Sequence, residues 1–170
     1  MEGNRYMFDL DNLTDSEVKA LIETIKELLD KTIQSEPIIG VAKVSEDYRV
    51  TDAINHIEYI LHLHRGKLEA NKYSMHIRFT YNHIHLVRLC INAGNNHINK
   101  SDRTNVGKNH IHIYDSSTDS MEYAYNLDNY TFDKNDSLIE SFYKFIDFLN
   151  IKNFQQEGVD TYDNSWKVKK

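Results

Sequence analysis

The sequence predicts an α+β fold: an antiparallel β-meander with an N-terminal and a C-terminal amphipathic helix on one face. Three stretches predict it. Apolar residues recur at helical spacing from Val18 to Ile33, alternate with a period of two from about residue 38 to 130, and return to helical spacing from Leu138 to Leu149. With no internal repeat and no splitting linker, residues 1–150 read as a single domain, and residues 151–170 as a polar C-terminal tail.

The first helix opens at a capping box. Thr14 is placed to accept from the backbone N–H of Glu17, and Glu17 to reach back. Val18, Leu21, Ile22, Ile25, Leu28, Leu29 and Ile33 form its apolar stripe, with Lys19, Glu23, Lys26 and Asp30 opposite. Pro37 lies beyond its end. A first strand fits 39–44. The stretch 46–58 is compatible with a strand or a short helical turn. Tyr59–His64 reads as a strand ended by Arg65-Gly66-Lys67, and Ser74–Tyr81 as the next, with His76 and Arg78 on one face and Ile77 and Phe79 on the other. His83–Ile91 is apolar on both faces, which suits a central strand. The segment 92–109, rich in Asn, Gly, Lys and Ser, reads as a long loop of the kind that carries function. His110–Tyr114 and Met121–Leu127 complete the strands. The last helix is capped by Asp136 or Ser137. In the tail, Trp166 is the one residue suited to pack back on the body.

Composition excludes several classes. A chain of 170 residues is long enough to bury a core without staples. A single cysteine, Cys90, forbids an intrachain disulfide and a Cys-based zinc finger; within its apolar strand it reads as inert core. A net charge of −6 argues against a protein that coats nucleic acid through bulk charge. The N-terminal residues lack the apolar core of a secretory signal, and no stretch of 18 apolar residues is present, so the expected setting is cytoplasmic with no membrane partner. Glycine-rich phosphate loops and a Gly-x-Ser-x-Gly elbow are absent from the sequence.

The exceptional feature is nine histidines, six of them between residues 76 and 112. In a strand, residues two apart share a face, so His62 pairs with His64, His83 with His85, and His110 with His112. If these strands adjoin, imidazoles and the guanidinium of Arg78 or Arg88 converge, with His97, Asn99, Asp102 and Arg103 of the long loop at the edge. Ordinarily a strand histidine is a surface or hydrogen-bonded residue, and His62 and His64 read that way. For His97, His110 and His112 two chemistries fit. One is cofactor-free acid–base cleavage of a phosphodiester, with Arg88, Arg78 and Arg103 binding phosphate and Asn99 and Tyr114 in support. The other is a divalent metal such as zinc held by His97, His110 and His112, or with Asp102 as the third ligand.

Arg88-Leu89-Cys90-Ile91-Asn92, His97-Ile98-Asn99 and His110-Ile111-His112-Ile113-Tyr114 together resemble a family of small bacterial and phage proteins of unknown function. That family reads Arg-x-Asp-Ile, then His-x-Asn, then His-x-His-x-Tyr; Cys90 stands here in the place of its aspartate. The resemblance covers most of the chain and implies a toxin, defence or counter-defence setting. The resemblance implies no reaction; the converging histidines at an Asn- and Gly-rich loop make the expected function action on RNA, as a histidine-based endoribonuclease. The alternative is a non-enzymatic inhibitor of a nucleic-acid-handling enzyme, such as an anti-CRISPR protein, whose acidic surface occupies a basic channel. The partner is RNA or a nucleic-acid-binding protein, with homodimerisation left open.

Overall fold

The computed structural model describes residues 7–29 and 43–152. In chain order the elements are α1 (Asp15–Glu23), β1 (Lys26–Leu28), β2 (Val44–Asp52), β3 (Ile57–Arg65), β4 (Tyr73–Phe79), β5 (His85–Ile91), β6 (His97–Ile98), β7 (Asn105–Gly107), β8 (His110–Tyr114), β9 (Glu122–Asn126), α2 (Leu138–Phe148) and β10 (Ile151–Lys152). Eight strands form one sheet in the order β10-β1-β2-β3-β4-β5-β8-β9, and β6 and β7 form a separate hairpin. Every pairing is antiparallel except β1 with β10. The fold is mixed α+β and dominated by this antiparallel sheet, as the change of hydrophobic period predicts.

Both helices start where their capping boxes place them. Thr14 accepts from the Glu17 N–H and Ser137 from the Glu140 N–H, and each glutamate accepts from its own cap residue. These reciprocal bonds satisfy two donors that an uncapped helix leaves orphaned. The strands then alternate. In β3 and β4, Tyr59, Leu61 and Leu63 and Met75, Ile77 and Phe79 are completely buried. They join Val87, Leu89, Ile91 and Ile111 of the next strands in one core with Val18 and Leu21 of α1 and Phe142, Phe145 and Ile146 of α2. Tyr73 ties α2 to this core: its hydroxyl lies 2.6 Å from Ser141 Oγ and donates to the Asp136 carbonyl at 2.8 Å. A register shift at Ile77/Arg78 marks a bulge, across which Leu86 and Val87 are both completely buried.

The first helix is shorter than its apolar stripe. It stops at Thr24, whose hydroxyl donates back to the Ala20 carbonyl at 2.7 Å. The chain then turns into β1, with Lys26 and Leu28 buried and Glu27 exposed; Ile25 and Leu29 of the supposed stripe are exposed. Lys26, expected on the polar side, is completely buried. Its ammonium donates to the carbonyls of Ile22, Thr24 and Leu149 at 2.8–3.0 Å, replacing the water it loses. Burial pulls it down to about 7, against the opposing field of Asp52. The ambiguous stretch is a strand over β2 and a turn at 53–56, pinned by Asp52 Oδ1, which accepts from the N–H groups of Ile54 and Asn55. His83 sits in a turn at φ 62 and so does not share a strand face with His85. The long segment 92–109 holds the β6–β7 hairpin. Ile151 and Lys152, placed by sequence in the tail, form β10, and Ile151 is buried. Ile33, Pro37, residues 39–42 and Trp166 lie outside the described residues. No helix among the described residues is long and apolar enough to cross a membrane.

Replacing Lys26 by methionine keeps the volume but strands three buried carbonyl acceptors. Lys26→Met is expected to lower unfolding free energy by about 1–3 kcal/mol in urea titration, with an unchanged m-value.

Candidate functional site

Alternation that sends one set of side chains into the core sends the other set to the opposite face, and that face carries the histidines. Pairing in register produces two rows across the strands. One runs Asp47–His62–His76–Arg88–His112–Ala124. The next runs Ser45–His64–Ser74–Cys90–His110–Asn126. Adjacent strands lie about 4.8 Å apart, so residues in one row touch. His62 and His76 have ring centroids 5.0 Å apart, and His76 stacks on His85 at 4.1 Å.

At the β8 end three imidazoles meet. The rings of His110 and His112 are 4.8 Å apart, and His97 lies 5.1 Å from the first and 4.7 Å from the second. His97 arrives on the β6–β7 hairpin, which Asn99 docks onto β9. The Asn99 amide donates to the Ala124 carbonyl at 2.9 Å and accepts from the Ala124 N–H at 3.0 Å, as a neighbouring strand would. Cys90, paired with His110, completes the group: its Sγ and one nitrogen each of His110 and His112 lie within 4.8 Å of one another.

Charge organises these rings. Glu122 on β9 forms an ion pair with Arg88, lies 3.1 Å from His112 Nδ1 and 3.7 Å from His85 Nδ1. Burial alone raises its carboxyl, but His112, His85 and Arg88 more than reverse this and hold it well below the usual carboxylate range. Burial lowers His112, with Glu122 opposing and Arg88 assisting. Burial and then His112 lower His110 to about 4, although the Gly107 carbonyl works against them. His110 Nδ1 lies 3.0 Å from that carbonyl, which makes Nδ1 the donor and leaves Nε2 with a free lone pair. His112 is 2% exposed; Glu122 lies 3.1 Å from its Nδ1, and its Nε2 has no hydrogen-bond partner among the described residues. A buried ring nitrogen without a partner is costly unless something else binds it.

The other expected site residues fall elsewhere. Arg88 is committed to Glu122 and also reaches Cys90 Sγ at 3.8 Å, so it is not a free phosphate clamp. Arg78 donates to His76 Nε2 at 2.8 Å. Arg103 stands in the exposed turn between β6 and β7 at φ 67. Asp102 is exposed and accepts from the Tyr123 hydroxyl at 2.5 Å and the Thr104 N–H at 3.0 Å, which removes it from the ligand group. Tyr114 clamps the chain before α1, donating to the Leu10 carbonyl and accepting from the Leu13 N–H. Sequence reasoning missed Glu122, which no local pattern marks, and took Cys90 for inert core. The signal for Cys90 was its spacing of two from Arg88, which assigns both to one face.

The architecture and this face define a meander α+β protein with a histidine- and cysteine-lined polar sheet face. The chain belongs to the family of unknown function DUF6978, whose model matches residues 13–151, from just before α1 into β10. No curated protein and no solved structure matches it.

Two outcomes follow from this geometry. Asn99→Ala removes both bonds between Asn99 and Ala124, leaving the Tyr123–Asp102 bond to dock the hairpin; hydrogen exchange at the Ala124 amide is expected to accelerate, with a loss of about 1–3 kcal/mol in stability. Burial, reinforced by His85 and His62, takes His76 down to about 3 from the ordinary 6.5. As pH falls from 6.5 towards 3 the unfolded chain therefore binds a proton that the folded chain refuses, and stability is lost. Urea-unfolding free energy of His76→Gln is expected to decline less steeply over that window than that of the parent.

Proposed function

We propose that this protein binds a borderline-soft divalent metal, zinc foremost, through His97, His110, His112 and Cys90. The observation that supports this most directly is the buried imidazole of His112, whose Nε2 has no hydrogen-bond partner among the described residues, beside a thiol and a second imidazole whose Nε2 is free. Three nitrogens and one sulfur are a donor set that zinc prefers over magnesium or calcium. The ligand atoms of Cys90, His110 and His112 lie within 4.8 Å of one another, up to about 1.5 Å wider than the edge of a zinc tetrahedron, and side-chain rotations that close the gap also have to bring in His97, whose ring lies 4.7 Å from that of His112. The surroundings suit the ion. The Gly107 carbonyl orients His110 and Glu122 flanks His112; burial raises the Cys90 thiol, with Arg88 opposing, so the thiolate forms only as the ion displaces its proton. Four protein ligands make a closed site, so the ion staples the β6–β7 hairpin to the sheet.

The same geometry weighs against metal-free RNA cleavage by these histidines. That chemistry needs one protonated imidazole near neutral pH, whereas burial holds His110 and His112 neutral. It also needs a free arginine, and Arg88 is paired.

Cobalt(II) titration of the purified protein tests the proposal. The expected result is one equivalent bound, with intense visible bands of tetrahedral cobalt and a near-ultraviolet thiolate charge-transfer band. Cys90→Ser abolishes the charge-transfer band, and His112→Ala weakens binding at least tenfold. Glu122→Gln, which removes no ligand, lowers zinc affinity about 10–100-fold. Octahedral spectra, or binding indifferent to Cys90 and His112, defeat the proposal.

A further inference from the structure

Between α1, the end of α2 and strands β8 and β9 lies a groove of about 590 Å³. Its apolar lining is made of side chains that the core leaves partly open. These are Ile22 of α1, Ile113 of β8, Phe148 of α2, and Tyr130, whose ring lies 6.0 Å from that of Phe148. Tyr125 of β9 adds a ring that is 43% exposed. Five partly exposed apolar or aromatic side chains around one concavity mark a docking surface better than a lone exposed residue does. The rim is acidic: Asp15, Glu23 and Asp115 stand against one cation, Lys19. Burial raises the Tyr125 phenol, and after Tyr130 the carboxylates of Asp115 and Asp15 raise it further, as a negative field requires.

The chain itself supplies a matching segment. It leaves β10 beside this groove: Phe148 lies just before β10, and Asn150 Nδ2 donates to the Glu23 carbonyl at 2.9 Å. Trp166 follows Lys152 by 14 residues, a reach of up to about 45 Å in an extended chain. In Trp166-Lys167-Val168-Lys169-Lys170, two apolar residues alternate with lysines and end on a third positive charge. We propose that this C-terminal segment docks in the groove of its own molecule. The Trp166 indole lies against Ile22, Tyr130 and Phe148, and the lysines face Asp15, Glu23 and Asp115. The tether holds the segment at high effective concentration beside its site. The groove shares no residue with the proposed metal group, so docking does not rest on zinc.

Intrinsic fluorescence of the full chain tests this, because Trp166 is its single tryptophan. Emission is expected to be blue-shifted relative to N-acetyltryptophanamide in the same buffer, with an acrylamide quenching constant at least threefold lower. Tyr125→Ala returns both readings towards those of the free indole. So does the charge reversal Lys167→Glu with Lys169→Glu and Lys170→Glu, which leaves the groove itself untouched. Far-ultraviolet circular dichroism stays that of the parent in both variants. Leu68→Ala, at an exposed apolar side chain outside the groove, changes neither reading. Parent emission equal to that of the free indole overturns the proposal, as does blue-shifted emission indifferent to Tyr125 or to the lysines. A blue shift that disappears on dilution also overturns it, by assigning the groove to the segment of a second copy.

Discussion

Glu122 carries a negative charge in a mostly buried position, and the polar face of the sheet is arranged around that charge. Arg88 neutralises it from β5, and His112 and His85 approach its two oxygens from β8 and β5. A buried ion pair contributes little net stability against apolar residues of the same shape, but each partner is costly to leave alone. The pair thus acts mainly on geometry. It keeps the guanidinium folded across β8 and β9 rather than extended into solvent, and it faces the Nδ1 side of His112. Cys90 and His110 lie beside the same ring.

Alternation is the second constraint. Because side chains on adjacent strands stay in register, placing Leu61, Ile77, Val87 and Ile113 along one row requires His62, His76, Arg88 and His112 along the next. A one-residue slip would turn four ionisable groups into the apolar core and four aliphatic ones onto the polar face. The apolar core and the histidine array therefore enforce the same register, and neither is independent of the other.

Much of this was legible in the sequence because it was local. Thr14-x-x-Glu17 and Ser137-x-x-Glu140 mark both helix starts, and the period of two locates β3, β4, β5, β8 and β9 within a residue or two. The shared face of His110 and His112 was legible for the same reason, whereas His97 joins them through the β6–β7 hairpin. What escaped reading was set by partners distant along the chain. β1 is read as helix because Ile25, Leu28 and Leu29 keep helical spacing. The Leu149 carbonyl that receives Lys26, and β10, which closes the outer edge of β1, come 123 or more residues later. Glu122 acquires its role only from strands β5 and β8. The hairpin of β6 and β7 was hidden by its polar composition; Asn99 docks it through an amide rather than an apolar side chain.

The parallel contact of β1 with β10 joins segments that follow the two helices at opposite ends of the described chain. Lys26 N donates to the Asn150 carbonyl, and Asn150 Nδ2 donates to the Glu23 carbonyl, at 3.0 and 2.9 Å. During synthesis, therefore, the sheet margin at β1 stays unsealed until the residues around 150 have left the ribosome. Until then Lys26 lacks one of its three acceptors, and the edge of a nearly finished sheet stands open to neighbouring nascent chains.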